Sequence, residues 1–143
     1  MTPDVNVLVA AFRGDHEHHR PARTWLDRTR ASAQIVLLPV VATGFVRTVG
    51  QRRAFPVPTP ADEAVAFVEA LLKAGDARMV AVSNEWPAFA RLCREHAPAG
   101  GNVTDAWIAA SVLLLDEHLA TFDRGFRRLL PPHQLTVLDP TAS

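Results

Sequence analysis

Apolar positions fall in short blocks along this chain, and the way each block is bounded predicts strands and helices in alternation. Pro3 to Phe12 is apolar except for Asp4 and Asn6. This run fits one long strand, or a short strand ending near Asp4 followed by a helix over Val7–Phe12 capped by Asn6. Gly14 and Asp15 turn the chain. From His16 to Ser32, Ala22, Trp25, Leu26 and Thr29 recur at helical spacing, with Pro21 early enough to sit in the first turn. Ala33 to Leu38, apolar apart from Gln34, reads as a strand of a sheet covered on both faces. Pro39 opens a helix through Val49. Gln51 to Pro60 holds Pro56, Pro58 and Pro60 beside Arg52 and Arg53, and is a loop.

The second half repeats the pattern. Ala61 to Ala74 is an amphipathic helix with Ala64, Val65, Val68, Leu71 and Leu72 facing inward and Gly75 ending it. Ala77 to Val82 is a strand, and Ser83 or Asn84 caps a helix over Glu85–His96. Ala97 to Gly101 is a loop, Val103 to Asp116 a helix, and His118 to Phe122 a strand. Asp123 to Leu130 is a short basic turn or helix, and Leu135 to Leu138 a last strand. Short apolar strands separated by helices imply the α/β class, here a three-layer α/β/α sandwich with a short central parallel sheet. No internal repeat or linker divides the chain, so one domain over residues 1–143 is expected.

In such sheets the functional cleft lies beyond the strand C-termini. Asp4 and Asp123 stand at two predicted strand ends, and Asp105 stands near the start of a predicted helix. Three carboxylates meeting without basic partners would repel, and Mg²⁺ or Mn²⁺, which take oxygen ligands, would relieve them. Taken singly, each acid has a plainer role. Asp105 could favour a helix N-terminus, Asp123 could cap a turn, and only Asp4 lies in an apolar run that demands compensation.

Composition adds little. Apolar residues make up 48% and charged ones 21%, and the formal net charge is zero, which gives no sign of a nucleic-acid partner. Fourteen of the fifteen basic residues are Arg, with Lys73 the exception. Arg suits phosphate recognition, but a GC-rich genome gives the same enrichment. Cys93 stands alone, which excludes a disulfide framework or a CxxC metal site. It reads as a small buried apolar residue, and Trp25, Trp86 and Trp107 as core or interface anchors. His16, His18 and His19 have the spacing for a transition metal but no Cys completes the set, so solvent exposure is expected. No apolar run reaches a membrane span and no basic leader opens the chain, so a cytoplasmic location without membrane contact is expected.

Three motifs in order carry a family resemblance. Asp4-Val5-Asn6-Val7-Leu8-Val9 resembles the opening of PIN-domain ribonucleases. Thr104-Asp105-Ala106-Trp107-Ile108-Ala109-Ala110 resembles their D-A-x-I-A-A helix, and Thr121-Phe122-Asp123-Arg124-Gly125-Phe126 their T-x-D-x-x-F ending. The length and the helix after residue 16 are similar to the VapC toxins of bacterial toxin–antitoxin pairs. Val41-Ala42-Thr43-Gly44-Phe45-Val46-Arg47 is similar to a subgroup found in mycobacteria and related actinobacteria. The family usually has a Glu on the second helix where this chain has Gly44, and many relatives have an acid at the place of Gly125.

The resemblance implies Mg²⁺-dependent endonucleolytic cleavage of RNA such as tRNA or ribosomal RNA, and so inhibition of translation. It implies Asp4, Asp105 and Asp123 as catalytic metal ligands, with Asn6, Thr43 and Thr121 orienting them. Arg47, Arg124, Arg127 and Arg128 would contact RNA, although an Arg cluster can equally be a solvated face. It also implies a homodimer and a VapB-like antitoxin whose tail blocks the cleft. The competing expectation is an inert PIN-like module that binds RNA or protein. A receiver-type phosphoacceptor is excluded, because paired acids after the first strand and a Lys near the end are missing.

Overall fold

Pro3 shapes the middle of the sheet. The computed structural model describes residues 1–142. Its parallel strands are β1 (Thr2–Pro3), β2 (Ile35–Leu37), β3 (Ala77–Met79), β4 (Leu119–Thr121) and β5 (Leu135–Val137). β1 pairs with β4 and β4 with β5, while β2 pairs with β3. The Val36 N–H donates to the Met1 carbonyl at 2.9 Å, so β2 lies beside β1. In a parallel ladder the return bond would come from residue 3, and proline has no N–H to give. One missing donor therefore splits the ladder into two hydrogen-bonded parts that still run side by side.

Among the described residues six α-helices flank this sheet: α1 (Val5–Phe12), α2 (His19–Ser32), α3 (Pro39–Val49), α4 (Ala61–Lys73), α5 (Trp86–His96) and α6 (Gly101–Leu115). The core holds Leu8, Leu26, Ile35, Leu37, Phe45, Ile108, Leu119 and Phe126, all fully buried. Phe12, Phe45 and Phe67 pack edge-on or tilted at 5.1–5.5 Å between ring centroids and tie α1, α3 and α4 together. α6 buries Ala106, Ile108, Ala109, Ala110, Ser111 and Val112.

Several boundaries differ from expectation. α1 begins at Val5, and its N-cap is Asp4, whose side chain accepts from the Val5 N–H; Asn6 sits inside the first turn and caps nothing. α2 begins at His19, leaving His16 in a preceding turn. α6 begins at Gly101, so Asp105 lies in its second turn, beyond the N-terminal orphan amides that a capping acid serves. Val65 is exposed rather than inward. No described helix is long and apolar enough to cross a membrane.

Candidate active site

Adjacent parallel strands deliver their C-termini to one edge of a sheet. Because β1 lies against β4, Asp4 and Asp123 leave the sheet at the same place; the Asp4 N–H still donates to Ala120 C=O at 2.9 Å. α6 supplies the third acid. Gly101, Thr104, Asp105 and Ile108, one helical face, line a cleft of about 410 Å³ whose walls also include Asp4, Asn6, Gly44, Arg47 and Asp123.

The acids are held by a network around Thr121, which is fully buried. Its hydroxyl donates to Asp4 Oδ2 at 2.6 Å and accepts from Asn6 Nδ2 at 3.1 Å and from the Asp123 N–H at 3.0 Å. Asn6 Oδ1 accepts from the Phe122 N–H at 3.2 Å, which fixes the amide's orientation. Asp4 Oδ1 accepts from the Val5 N–H at 2.7 Å, and Asp123 Oδ1 from the Gly125 N–H at 2.7 Å. Burial pushes the Asp4 carboxyl up; the Thr121 and Val5 bonds oppose this, and Asp123 adds to it. Asp105 is pushed up to about 6 by burial and then by Asp4 and Asp123, with no hydrogen bond pulling it back. Asp105 thus senses both other acids and Asp4 senses Asp123, and none of the ion pairs among the described residues involves them. Hard oxygen donors crowded without a counter-cation fit a divalent metal. Among the described residues no three acid, His or Cys side chains already close on one point as a metal cage would.

The family model of the PIN domain matches residues 1–129. Ribonuclease VapC31 of Mycobacterium tuberculosis is 36% identical over 141 residues, covering 90% of this chain and 96% of its own length. The VapC ribonuclease Mb2897 of Mycobacterium bovis is 38% identical over 127 residues, covering 87% and 86%. The chain belongs to the PIN-domain family. The crystal structure of VapBC2 from Rickettsia felis, bound to a DNA fragment from their promoter, has the same fold. Its TM-score is 0.67 at 15% identity, over 96% of this chain and 98% of that one.

This PIN domain distributes the remaining expected residues unevenly. Asn6 and Thr121 both touch the acid network. Thr43 does not, which corrects its expected place beside the acids: it is exposed, and its hydroxyl donates to Pro39 C=O at 2.8 Å, one turn back on α3. Arg47 is exposed on the cleft wall. Arg128 lines a narrow groove with His96 and Asn102 that meets the cleft at Asp105. Arg127 lies instead against Leu130, Leu135 and Val137. Arg124 helps hold the Asp139 carboxyl low, behind the larger effect of the Thr141 hydroxyl.

At Gly44 an added Cβ would stand 2.8 Å from Val5 Cγ2, so α3 and α1 pack too closely here for a Glu unless Val5 moves. His16 and Phe55 on the cleft wall escape sequence reasoning. Half-buried His16 overturns the expected exposure. The local signal for it is weak: a polar residue one turn before a helix, with nothing to say that the loop at 51–60 will fold over it.

Proposed function

We propose that this PIN domain, over the whole chain, is a metal-dependent endoribonuclease acting as the toxin of a toxin–antitoxin pair. The observation that carries this reading is the convergence of Asp4, Asp105 and Asp123 in one cleft, none of them in an ion pair among the described residues. These three residues would hold Mg²⁺ or Mn²⁺. Such an ion, when bound, acidifies a water for attack on a phosphodiester and offsets charge on the phosphate. Thr121 and Asn6 fix Asp4 and the backbone at Asp123, so the acids keep their orientation as the strand binds. Arg47 and Arg128, on either side of Asp105, would each anchor a phosphate. The relatives' names support an RNA substrate, with tRNA or ribosomal RNA the expected target and translation the process inhibited. A cytoplasmic location, a homodimer and a VapB-like antitoxin complete the proposal.

The decisive experiment incubates the purified protein with total RNA and Mg²⁺ or Mn²⁺. Cleavage should appear, stop on adding EDTA, and fall in Asp4→Asn, Asp105→Asn and Asp123→Asn. The drop should be at least about 100-fold, the upper end of what losing an outer metal partner costs. A folded wild-type protein that cuts nothing with either metal would make this an inert binding module.

A further inference from the structure

We propose that His16 donates a hydrogen bond from Nε2–H to a phosphodiester oxygen of RNA bound in the cleft, an inference that rests on the ribonuclease reading above. His16 lines the same cleft as Asp4, Asp105 and Asp123. Its Nδ1 accepts from the His18 N–H at 3.0 Å. A backbone amide can only donate, so Nδ1 carries the lone pair and the ring proton resides on Nε2. Among the described residues Nε2 has no hydrogen-bond partner.

His118 is held differently. His118 uses both ring nitrogens internally, Nδ1 to His133 C=O at 3.1 Å and Nε2 to Thr136 Oγ1 at 2.6 Å. His16, which lines the cleft, instead spends one nitrogen on fixing its tautomer and leaves the other without a partner among the described residues.

The ring is also braced. It lies 6.4 Å from the Phe55 ring and 5.4 Å from that of His18, which packs on Phe122 at 4.8 Å. Arg13 covers Phe55 at 4.2 Å and is itself pinned by Asp15, Val57 C=O and Thr59 Oγ1 at 2.6–2.9 Å. A donor held this way loses little freedom when it binds.

Its neutrality suits the surroundings. Burial first, then His18, push the imidazolium down in pKa, against weaker pulls from Glu17 and Asp15. A neutral N–H can bind an anionic phosphate without adding, beside Arg47, a second cation on this wall to compete with a metal for the carboxylates. Giving up that proton would leave an imidazolate, so His16 acts as a hydrogen-bond donor and not as a general acid.

The test compares wild type, His16→Ala and His16→Gln, whose amide can place an N–H near the position of Nε2. Three readouts are cleavage of bulk tRNA with Mg²⁺, Mn²⁺ affinity, and binding of a randomised single-stranded RNA oligonucleotide with Ca²⁺ in place of Mg²⁺. His16→Ala should lose about 10- to 100-fold in kcat/KM, the range for a hydrogen bond to a charged group, while Mn²⁺ affinity holds. It should also bind the oligonucleotide more weakly, and His16→Gln should recover most of both losses. Unchanged kcat/KM and binding in His16→Ala, a Gln variant as poor as Ala, or a parallel fall in Mn²⁺ affinity each overturns the proposal. If wild type cleaves nothing, the ribonuclease reading fails by itself. The binding arm then still decides His16: weaker binding in Ala with recovery in Gln sustains it, and equal binding removes it.

Discussion

A hydroxyl offers one donor and two acceptors, and Thr121 uses all three to join Asp4, Asn6 and the Asp123 amide. The spacing Thr121-Phe122-Asp123 marks this residue in the sequence. The pairing of β1 with β4 brings its expected partner Asp4, at the other end of the chain, within 2.6 Å. Thr43 shows the reverse: the same residue type near the cleft turns its hydroxyl onto its own helix, because Pro39 C=O lies one turn behind it. Asp105 has no such partner, and this gives a pH prediction. Its carboxyl is pushed up to about 6 in the folded chain, against an ordinary value of about 3.9 when unfolded. A raised carboxyl contributes stability that is complete below the unfolded value and is lost as pH rises through the folded one. Without metal, wild type should therefore lose stability relative to Asp105→Asn between about pH 4 and about pH 6.5. Thermal melts in EDTA should show the Asn variant ahead at neutral pH, with the gap closing toward pH 4. Mg²⁺ should narrow the neutral-pH gap by stabilising only the protein that binds it. A gap independent of pH would trace the difference to something other than the carboxyl.

The elements themselves are largely legible. Each strand and α-helix named above lies within or across a stretch predicted to form it, because covered strands and amphipathic helices each need an apolar block or stripe. Their ends are less so, since ends are set by hydrogen bonds to partners distant in sequence. α1 starts where Asp4 leaves the sheet, and α6 starts at Gly101, ahead of the first apolar residue of its pattern. Ala97 is a further case. α5 ends on it in the left-handed conformation, φ 45° and ψ 53°, where an L residue with a Cβ is strained. Glycine is the usual residue at such a stop. Ala97→Gly should raise unfolding free energy by about 1 kcal/mol, seen as a higher urea midpoint with unchanged m. A lower midpoint would mean that the methyl group's packing outweighs the backbone strain.

At the scale of the whole molecule, zero net charge removes the long-range attraction that draws many nucleic-acid-binding proteins to their targets. Binding must then depend on a few placed cations. Arg47 stands on the cleft wall and Arg128 in the groove on the other flank of Asp105, whereas Arg127 sits against the β5 side. Composition could not separate these three, since only the fold assigns each to a face. The separation is measurable through counterion release. Two neutralised phosphates on a single strand give a slope of about −1.4 for log K against log salt, near −0.7 for each. Anisotropy titrations of labelled RNA with the Asp4→Asn protein, over a series of KCl concentrations, would measure it. Arg47→Gln and Arg128→Gln should each flatten the slope by about 0.7, and Arg127→Gln should leave it unchanged. A slope of about −2.8 would place phosphates on four cations and extend the RNA footprint toward Arg124 and Arg127. The strand would then leave the cleft across the turn that follows Asp123, instead of through the groove beside α6.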